Sequence, residues 1–382
     1  MINKEKILKV LEQNETPVYI YDTEILTKTL DALDEARGSY NVHYAIKANN
    51  SPEIIRMISE RGYGADCVSI GEVEHAIRNG VKPENIAYAG VGKTDKEIIR
   101  ALQIGIGCFN VESTEELNII AELAQEHNLT ANVALRINPD IDAHTHHCIT
   151  TGLAENKFGI DMSVMDDAVR FAAGHKNLNF KGLHFHIGSQ ILTEKPFVLL
   201  AERINKLVSH IENDLKIEVK SINTGGGLGI DYDNPDCGII PAFSHYFKPL
   251  LENINLREGQ ELHCEFGRSI VAQCGTLIGK VQYVKQTPSK KIIILDAGMN
   301  NLIRPALYQA HHHIENLTSD KTEVEKYDVV GPICESSDEF ASMETLPLTR
   351  RGDYIALRTA GAYGASMSSS YNMRPVAKEI FI

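Results

Sequence analysis

Lys47 closes the apolar run VHYAIKANN and is followed by Asn-Asn-Ser-Pro, the pattern of a buried strand leaving into a loop. A lysine held there loses hydration, and with a lowered pKa its amine can attack a carbonyl to form a Schiff base. Solvation at a strand end is the plainer alternative. In FKGLHFHIGSQ, His184 and His186 flank Phe185 and face one side of a strand, while Gly188 and Ser189 open the next loop. A flat imidazole there could stack on a planar ring, or the two could be satisfied core histidines. INTGGGLGI sets Gly225, Gly226 and Gly227 in a row, so backbone N–H groups either cradle a phosphate or make a tight turn. Lacking GK[ST] and a dinucleotide fingerprint, it suits a monophosphate better than a nucleotide. HCEFGRSIV places Glu265 and Arg268 around Gly267. Such a carboxylate can keep a pyridine nitrogen protonated, and such a guanidinium can hold a phosphate or carboxylate; a surface salt bridge is the alternative.

Positioning these groups requires a scaffold. Eight candidate strands are legible: 42–49, 64–69, 86–90, 107–113, 132–139, 180–189, 218–226 and 261–267. Between them, SPEIIRMISERG, TDKEIIRALQIG and STEELNIIAELAQEHN carry apolar residues at three- and four-residue spacing behind Ser or Thr caps. This alternation fits a (β/α)8 TIM-like barrel of parallel strands better than an open sheet. Lys47, Asp66, Arg136, His186, Ser189, the three glycines, Glu265 and Arg268 all fall at or beyond strand C-terminal ends, where barrel chemistry gathers. From 269 onward, strands lack matching helices: SIVAQCGTLIGKVQYVKQT, KIIILDAG, KYDVVGPIC, DYIALRTAG and PVAKEIFI. We expect a barrel over 25–268 and a β-barrel or sandwich domain from 269–382 with 1–24, PVYIYD joining it.

The 382 residues suffice for both domains, and 43% hydrophobic with 23% charged residues is ordinary globular composition. A net charge of −13 argues against a nucleic-acid surface. No apolar run approaches a membrane span and MINKEKILKV is not a signal peptide, so a cytoplasmic protein without membrane partners is expected. The seven cysteines form no CxxC pair, which points to neither disulfides nor zinc. HTHH (144–147) and HHH (311–313) lack carboxylate or thiol partners at suggestive spacing, so no metal is expected.

Lysine, stacking imidazole, phosphate cradle and carboxylate together meet the requirements of pyridoxal 5′-phosphate. YAIKANN, HFHIGSQ, TGGGLGI, EFGRSIV, RPALY, CESSD and GAYGASMSSSYN, in that order over almost the whole chain, resemble the fold-type III (alanine racemase-like) pyridoxal-phosphate decarboxylases. Within that group the likeness is to the diaminopimelate decarboxylases, lyases of the last step of lysine biosynthesis. The resemblance implies that Lys47 carries the cofactor, His186 stacks on its ring and Glu265 faces its nitrogen. It implies phosphate contacts from Ser189, Gly226, Gly227, the Arg268 region and Tyr371, with Asp66 and Gly267 among the cofactor contacts. Cys334 would protonate the product carbon, and Arg268, Arg304, Tyr308, Glu335 and Tyr371 would bind substrate. A homodimer with shared active sites is implied, Cys334, Glu335 and Tyr371 coming from the partner's β domain. One departure is Phe266, where the family's EPGR motif has proline.

The late residues also suit that substrate chemically. A diaminopimelate has a distal carboxylate and ammonium, for which Arg304 and Glu335 are apt partners. Cys334 beside Glu335 and Asp338 would have its thiol pKa raised, as befits a proton donor. Decarboxylases for carboxynorspermidine, ornithine or arginine remain alternatives within the fold. An alanine racemase would pair the pyridine nitrogen with arginine instead of Glu265, and a non-catalytic pyridoxal-phosphate-binding protein is the reading from another class.

Overall fold

The structure, a computed structural model, describes residues 3–139 and 157–382. HTHH lies outside these residues. After β1 (Val18–Tyr21) come β2 (Tyr40–Ala45), β3 (Gly64–Cys67), β4 (Ile86–Tyr88), β5 (Cys108–Val111), β6 (Ala131–Arg136), β7 (Leu178–His184), β8 (Ser221–Asn223) and β9 (Glu261–Phe266). Each of β2 to β8 pairs in parallel with the next, and β9 pairs with β2, so the expected barrel closes. Some of its helices start at side-chain caps. Thr94 and Glu97 form a reciprocal capping box for Asp95–Ile104, and the Ser113 side chain accepts from the Glu116 N–H at the head of Thr114–Glu126.

Several strands are shorter than their apolar runs. β2 gives way to a single 3₁₀ turn, Ile46–Ala48, so Lys47 sits on that turn and not in the strand. β7 stops at His184, leaving His186 in the following segment. β8 has only three residues because Gly225 and Gly227 adopt φ of +69° and +109°, which breaks the ladder. The barrel interior is polar where such barrels usually carry branched aliphatics: Asp66, Asn110, His184, Asn223 and Glu265 are all buried.

The remaining strands are β10 (Gly275–Gln286), β11 (Lys291–Leu295), β12 (Ile314–Asn316), β13 (Val324–Val330), β14 (Glu339–Pro347), β15 (Tyr354–Leu357) and β16 (Lys378–Phe381). They form a sheet in the order β12-β15-β10-β11-β13-β14. The PVYIYD strand β1 joins it, antiparallel to β10 and parallel to β16, so segments near both chain ends meet in one sheet. One long apolar stretch is split: its start forms a helical turn, Arg268–Val271, before β10. The helix Lys4–Leu11 buries Ile7 and Leu11 against Val18, Ile20 and Ile278. Compactness divides the chain into 32–229 with 242–267, and 1–31 with 230–241 and 268–382. Among the described residues no helix is long and apolar enough to cross a membrane.

Candidate active site

Within the barrel unit, the Lys47 amine donates to Asp66 Oδ2 at 2.6 Å; Lys47 is 42% exposed while Asp66 is 1% exposed. Burial, reinforced by the charge of Glu265, pushes the Asp66 carboxyl above the usual carboxylate range, against the pull of Lys47. Glu265 goes the other way. Burial would raise it, but His184, Lys47 and His186 outweigh that and hold it well below its ordinary value. Glu265 Oε1 accepts from Asn110 Nδ2 at 3.0 Å and Asn223 Nδ2 at 2.7 Å, and Oε2 lies 3.1 Å from His184 Nε2. It is therefore a permanent buried carboxylate held from three strands.

His186 Nδ1 accepts the Gly226 N–H at 3.3 Å, and burial, with Arg136 and Lys47 nearby, pushes its pKa down to about 3. The ring is a neutral plane beside the glycine turn. A Cβ on Gly226 would lie 1.8 Å from the Glu265 carbonyl oxygen, and one on Gly227 would lie 2.5 Å from that of Gly188. The Ile191 N–H bonds the Gly227 carbonyl at 2.8 Å, so the 188–191 segment, with half-buried Ser189, is laced to the glycine turn. Gly267 lies close against the Lys47 turn, since a Cβ there would be 2.9 Å from Ala48 Cβ. Phe266, the departure from the family motif, is buried edge-on against Phe243, Tyr246 and Phe247, with its ring 4.8 Å from that of Tyr246. The Tyr246 hydroxyl in turn donates to the Gly225 carbonyl at 2.6 Å. The aromatic thus braces the glycine turn.

These residues fit pyridoxal 5′-phosphate on the structure's own terms. Among the described residues Asp66 Oδ1 and His184 Nδ1 are buried without hydrogen-bond partners, the turn excludes side chains, and the Lys47 side chain is partly exposed. Lys47 with Asp66 would hold the aldehyde end, Glu265 the ring nitrogen, His186 a ring face, and Gly226, Gly227 and Ser189 the phosphate.

The second unit holds its own clusters. Arg268 Nη1 donates to the Tyr232 hydroxyl at 2.7 Å and its guanidinium lies 4.9 Å from the Tyr363 ring centre. Arg304 stacks 4.5 Å above the Tyr232 ring and donates to His312 Nε2 at 2.7 Å. Burial, then the Arg304 charge, push His312 down to about 3, so it is neutral, with Nδ1–H donating to the Arg358 carbonyl at 2.9 Å. Arg304 itself is buried, which lowers its pKa, and it has no carboxylate partner among the described residues. Tyr308 is half-buried on the same short helix, Arg304–Tyr308. Elsewhere in this unit the Tyr371 hydroxyl donates to Glu335 Oε1 at 2.5 Å, and the Cys334 N–H donates to Asn372 Oδ1 at 2.9 Å. Cys334, Glu335 and Tyr371 are exposed. Asp338 is not: its carboxylate accepts from the Met299 and Ile333 amides and orders the turn. The three histidines of HHH have separate jobs, His311 bonding Asp233, His312 bonding Arg304, and His313 pairing with Glu315. Asn110, Asn223 and Tyr232 were not singled out by sequence reasoning, and His312 was weighed there only as part of a metal motif; Asn223, two residues before the glycine run, was the most findable.

The pyridoxal binding domain of the pyridoxal-dependent decarboxylases matches residues 23–272. The diaminopimelate decarboxylase of Bacteroides thetaiotaomicron is 55% identical over 95% of each chain. That of Aquifex aeolicus is 41% identical over 96% of this chain and 86% of its own. Among solved structures, diaminopimelate decarboxylase from Helicobacter pylori complexed with L-lysine matches with a TM-score of 0.93 at 38% identity, covering 98% of this chain and 94% of its own.

Proposed function

This chain belongs to the pyridoxal-dependent decarboxylases, and we propose that it converts meso-2,6-diaminopimelate to L-lysine and CO2. The observation that carries the substrate is Arg304, a buried guanidinium stacked on Tyr232 with a neutral histidine where a carboxylate would be expected. A desolvated cation without a counter-charge is costly, and a ligand carboxylate relieves it. Diaminopimelate has such a group distal to the reacting end. Ornithine does not.

When bound, pyridoxal 5′-phosphate supplies an aldehyde for the substrate amine and a ring that accepts the electron pair left as CO2 departs. Lys47 would hold the aldehyde end of the group through its amine, and Asp66, 2.6 Å away, would keep that amine as an ammonium when it is free. Glu265, kept ionised, would hold a proton on the ring nitrogen, and His186 would support a ring face. Gly226, Gly227, Ser189, Arg268 and Tyr371 would take the phosphate. Arg304, with Tyr308, binds the distal carboxylate and Glu335 the distal ammonium. Cys334 gives the proton from Sγ to the carbon that lost CO2, and its thiolate is reprotonated from solvent. The active form is a homodimer in which Cys334, Glu335 and Tyr371 serve the partner's barrel.

The test has two arms. Borohydride reduction of the cofactor-loaded protein, followed by peptide mass spectrometry, should find the pyridoxyl group on Lys47; another lysine would overturn that role. In a panel of meso-diaminopimelate, L-ornithine, L-arginine and carboxynorspermidine, diaminopimelate should have the highest kcat/KM. Equal turnover of ornithine would overturn the assignment of Arg304.

A further inference from the structure

The Asn223 amide is engaged at both ends. Its Oδ1 accepts the Gly225 N–H at 2.9 Å while its Nδ2 donates to Glu265 Oε1 at 2.7 Å. That fixes which end is oxygen, since a flipped amide would lose both bonds. Asn110 Nδ2 reaches the same Glu265 oxygen at 3.0 Å. Two donors on Oε1 fix the rotation of the carboxylate and leave Oε2, with its one His184 contact, able to accept another N–H. The backbone repeats the link, for the Glu265 N–H donates to the Gly225 carbonyl at 2.8 Å.

Packing does not substitute for these bonds. On the barrel side away from the glycine turn lies a cavity of about 400 Å³, lined by both asparagines together with His43, Gly107, Ala134 and His263. That lining is largely polar, with Lys181, Lys220 and Glu261 at its rim, so the buried carboxylate is supported by hydrogen bonds and not by aliphatic layers. From these contacts we infer that Asn223, assisted by Asn110, is a positioning residue that locks the ring-nitrogen carboxylate and the phosphate turn at a fixed separation. Asn110 acts on the carboxylate alone. The inference rests on the role given to Glu265 above.

Its test combines cofactor binding with the split between kcat and KM in the cofactor-loaded enzyme. Equilibrium dialysis against pyridoxal 5′-phosphate should show the Kd of Asn223→Ala raised roughly 10- to 100-fold, the range for one or two bonds to a charged group. Asn110→Ala should change Kd less than about 3-fold, because the turn keeps its tie. Both variants should lose roughly 10-fold or more in kcat with little change in KM for diaminopimelate. An Asn223→Ala protein that keeps the wild-type Kd and kcat overturns the inference. If that variant does not fold, Asn223→Asp decides: it preserves shape and the Gly225 bond but replaces the donor to Glu265 with a second carboxylate, so kcat must fall roughly 10-fold or more with KM little changed. A wild-type kcat there also overturns it. Glu265→Gln is the control. If Glu265→Gln retains wild-type kcat and Kd, the role of Glu265 itself has failed, whatever the asparagine variants do.

Discussion

Asp66 and Glu265 occupy one barrel interior and are driven in opposite directions, the first upward by burial and its neighbour's charge, the second downward by His184, Lys47 and His186. A barrel interior that keeps one carboxylate permanently ionised is suited to hold a ring proton, and the cationic end of the set is the exposed Lys47. Arg304 is the matching feature of the other unit. Arg304→Ala should lower kcat/KM for diaminopimelate roughly 10²-fold, chiefly through KM, as expected if the buried guanidinium is the proposed partner of the distal carboxylate. Steady-state kinetics beside an unchanged cofactor spectrum checks it, and a change confined to kcat would contradict a binding role. Lys47 and Glu265 were legible because a motif and a strand end frame each. Asn110 and Tyr232 were not, because their partners Glu265 and Arg268 lie 155 and 36 residues away in sequence and only the closed fold joins them.

Among elements, β8 and the glycine turn carry the tightest constraint. Gly226→Ala would force a Cβ against the Glu265 carbonyl oxygen, in contact with backbone that cannot yield. We expect destabilisation above about 3 kcal/mol, seen as lost soluble protein or a large fall in unfolding midpoint. A normally stable Gly226→Ala protein would contradict the turn geometry. β2 and β9 carry a second constraint: His43 Nε2 and His263 Nδ1 lie 3.0 Å apart, and burial pushes each pKa down to about 4. Both are neutral in the folded chain, whereas the unfolded chain binds protons from pH 6.5 downward. Stability present above pH 6.5 is therefore lost as pH falls towards 4, by about 1.4 kcal/mol per pH unit for each histidine. Thermal unfolding across pH 4–7 should show this slope, and His263→Gln should flatten it. An equally steep slope in that variant would contradict the assignment. All eight barrel strands were legible from apolar runs and capped helices, but their ends were not. Positive φ at Gly225 and Gly227 and the 3₁₀ turn at Lys47 are backbone choices that hydropathy does not encode.

At the scale of the molecule, PVYIYD reads in the sequence as an isolated apolar strand that precedes the barrel and needs a sheet, but nothing there names β16 as its neighbour. β12 and β14 were missed: the first has three residues, and the second interleaves charged and exposed positions without a clean apolar face. Assembly follows from the proposed sharing of residues. Tyr371, Met373 and Val376 leave apolar surface exposed beside Glu335 and Cys334, which accords with a partner covering this segment. Mixing inactive Lys47→Ala and Cys334→Ala proteins under subunit exchange should restore about a quarter of wild-type activity, because half the dimers are hybrids with one intact site of two. No recovery despite demonstrated exchange would contradict shared sites. The most direct measurement is parallel assay of CO2 and L-lysine from meso-diaminopimelate by the pyridoxal 5′-phosphate-loaded enzyme. Equal amounts of the two products, abolished in Lys47→Ala, are predicted; CO2 from a polyamine precursor or ornithine instead, or from no substrate at all, would contradict the assignment.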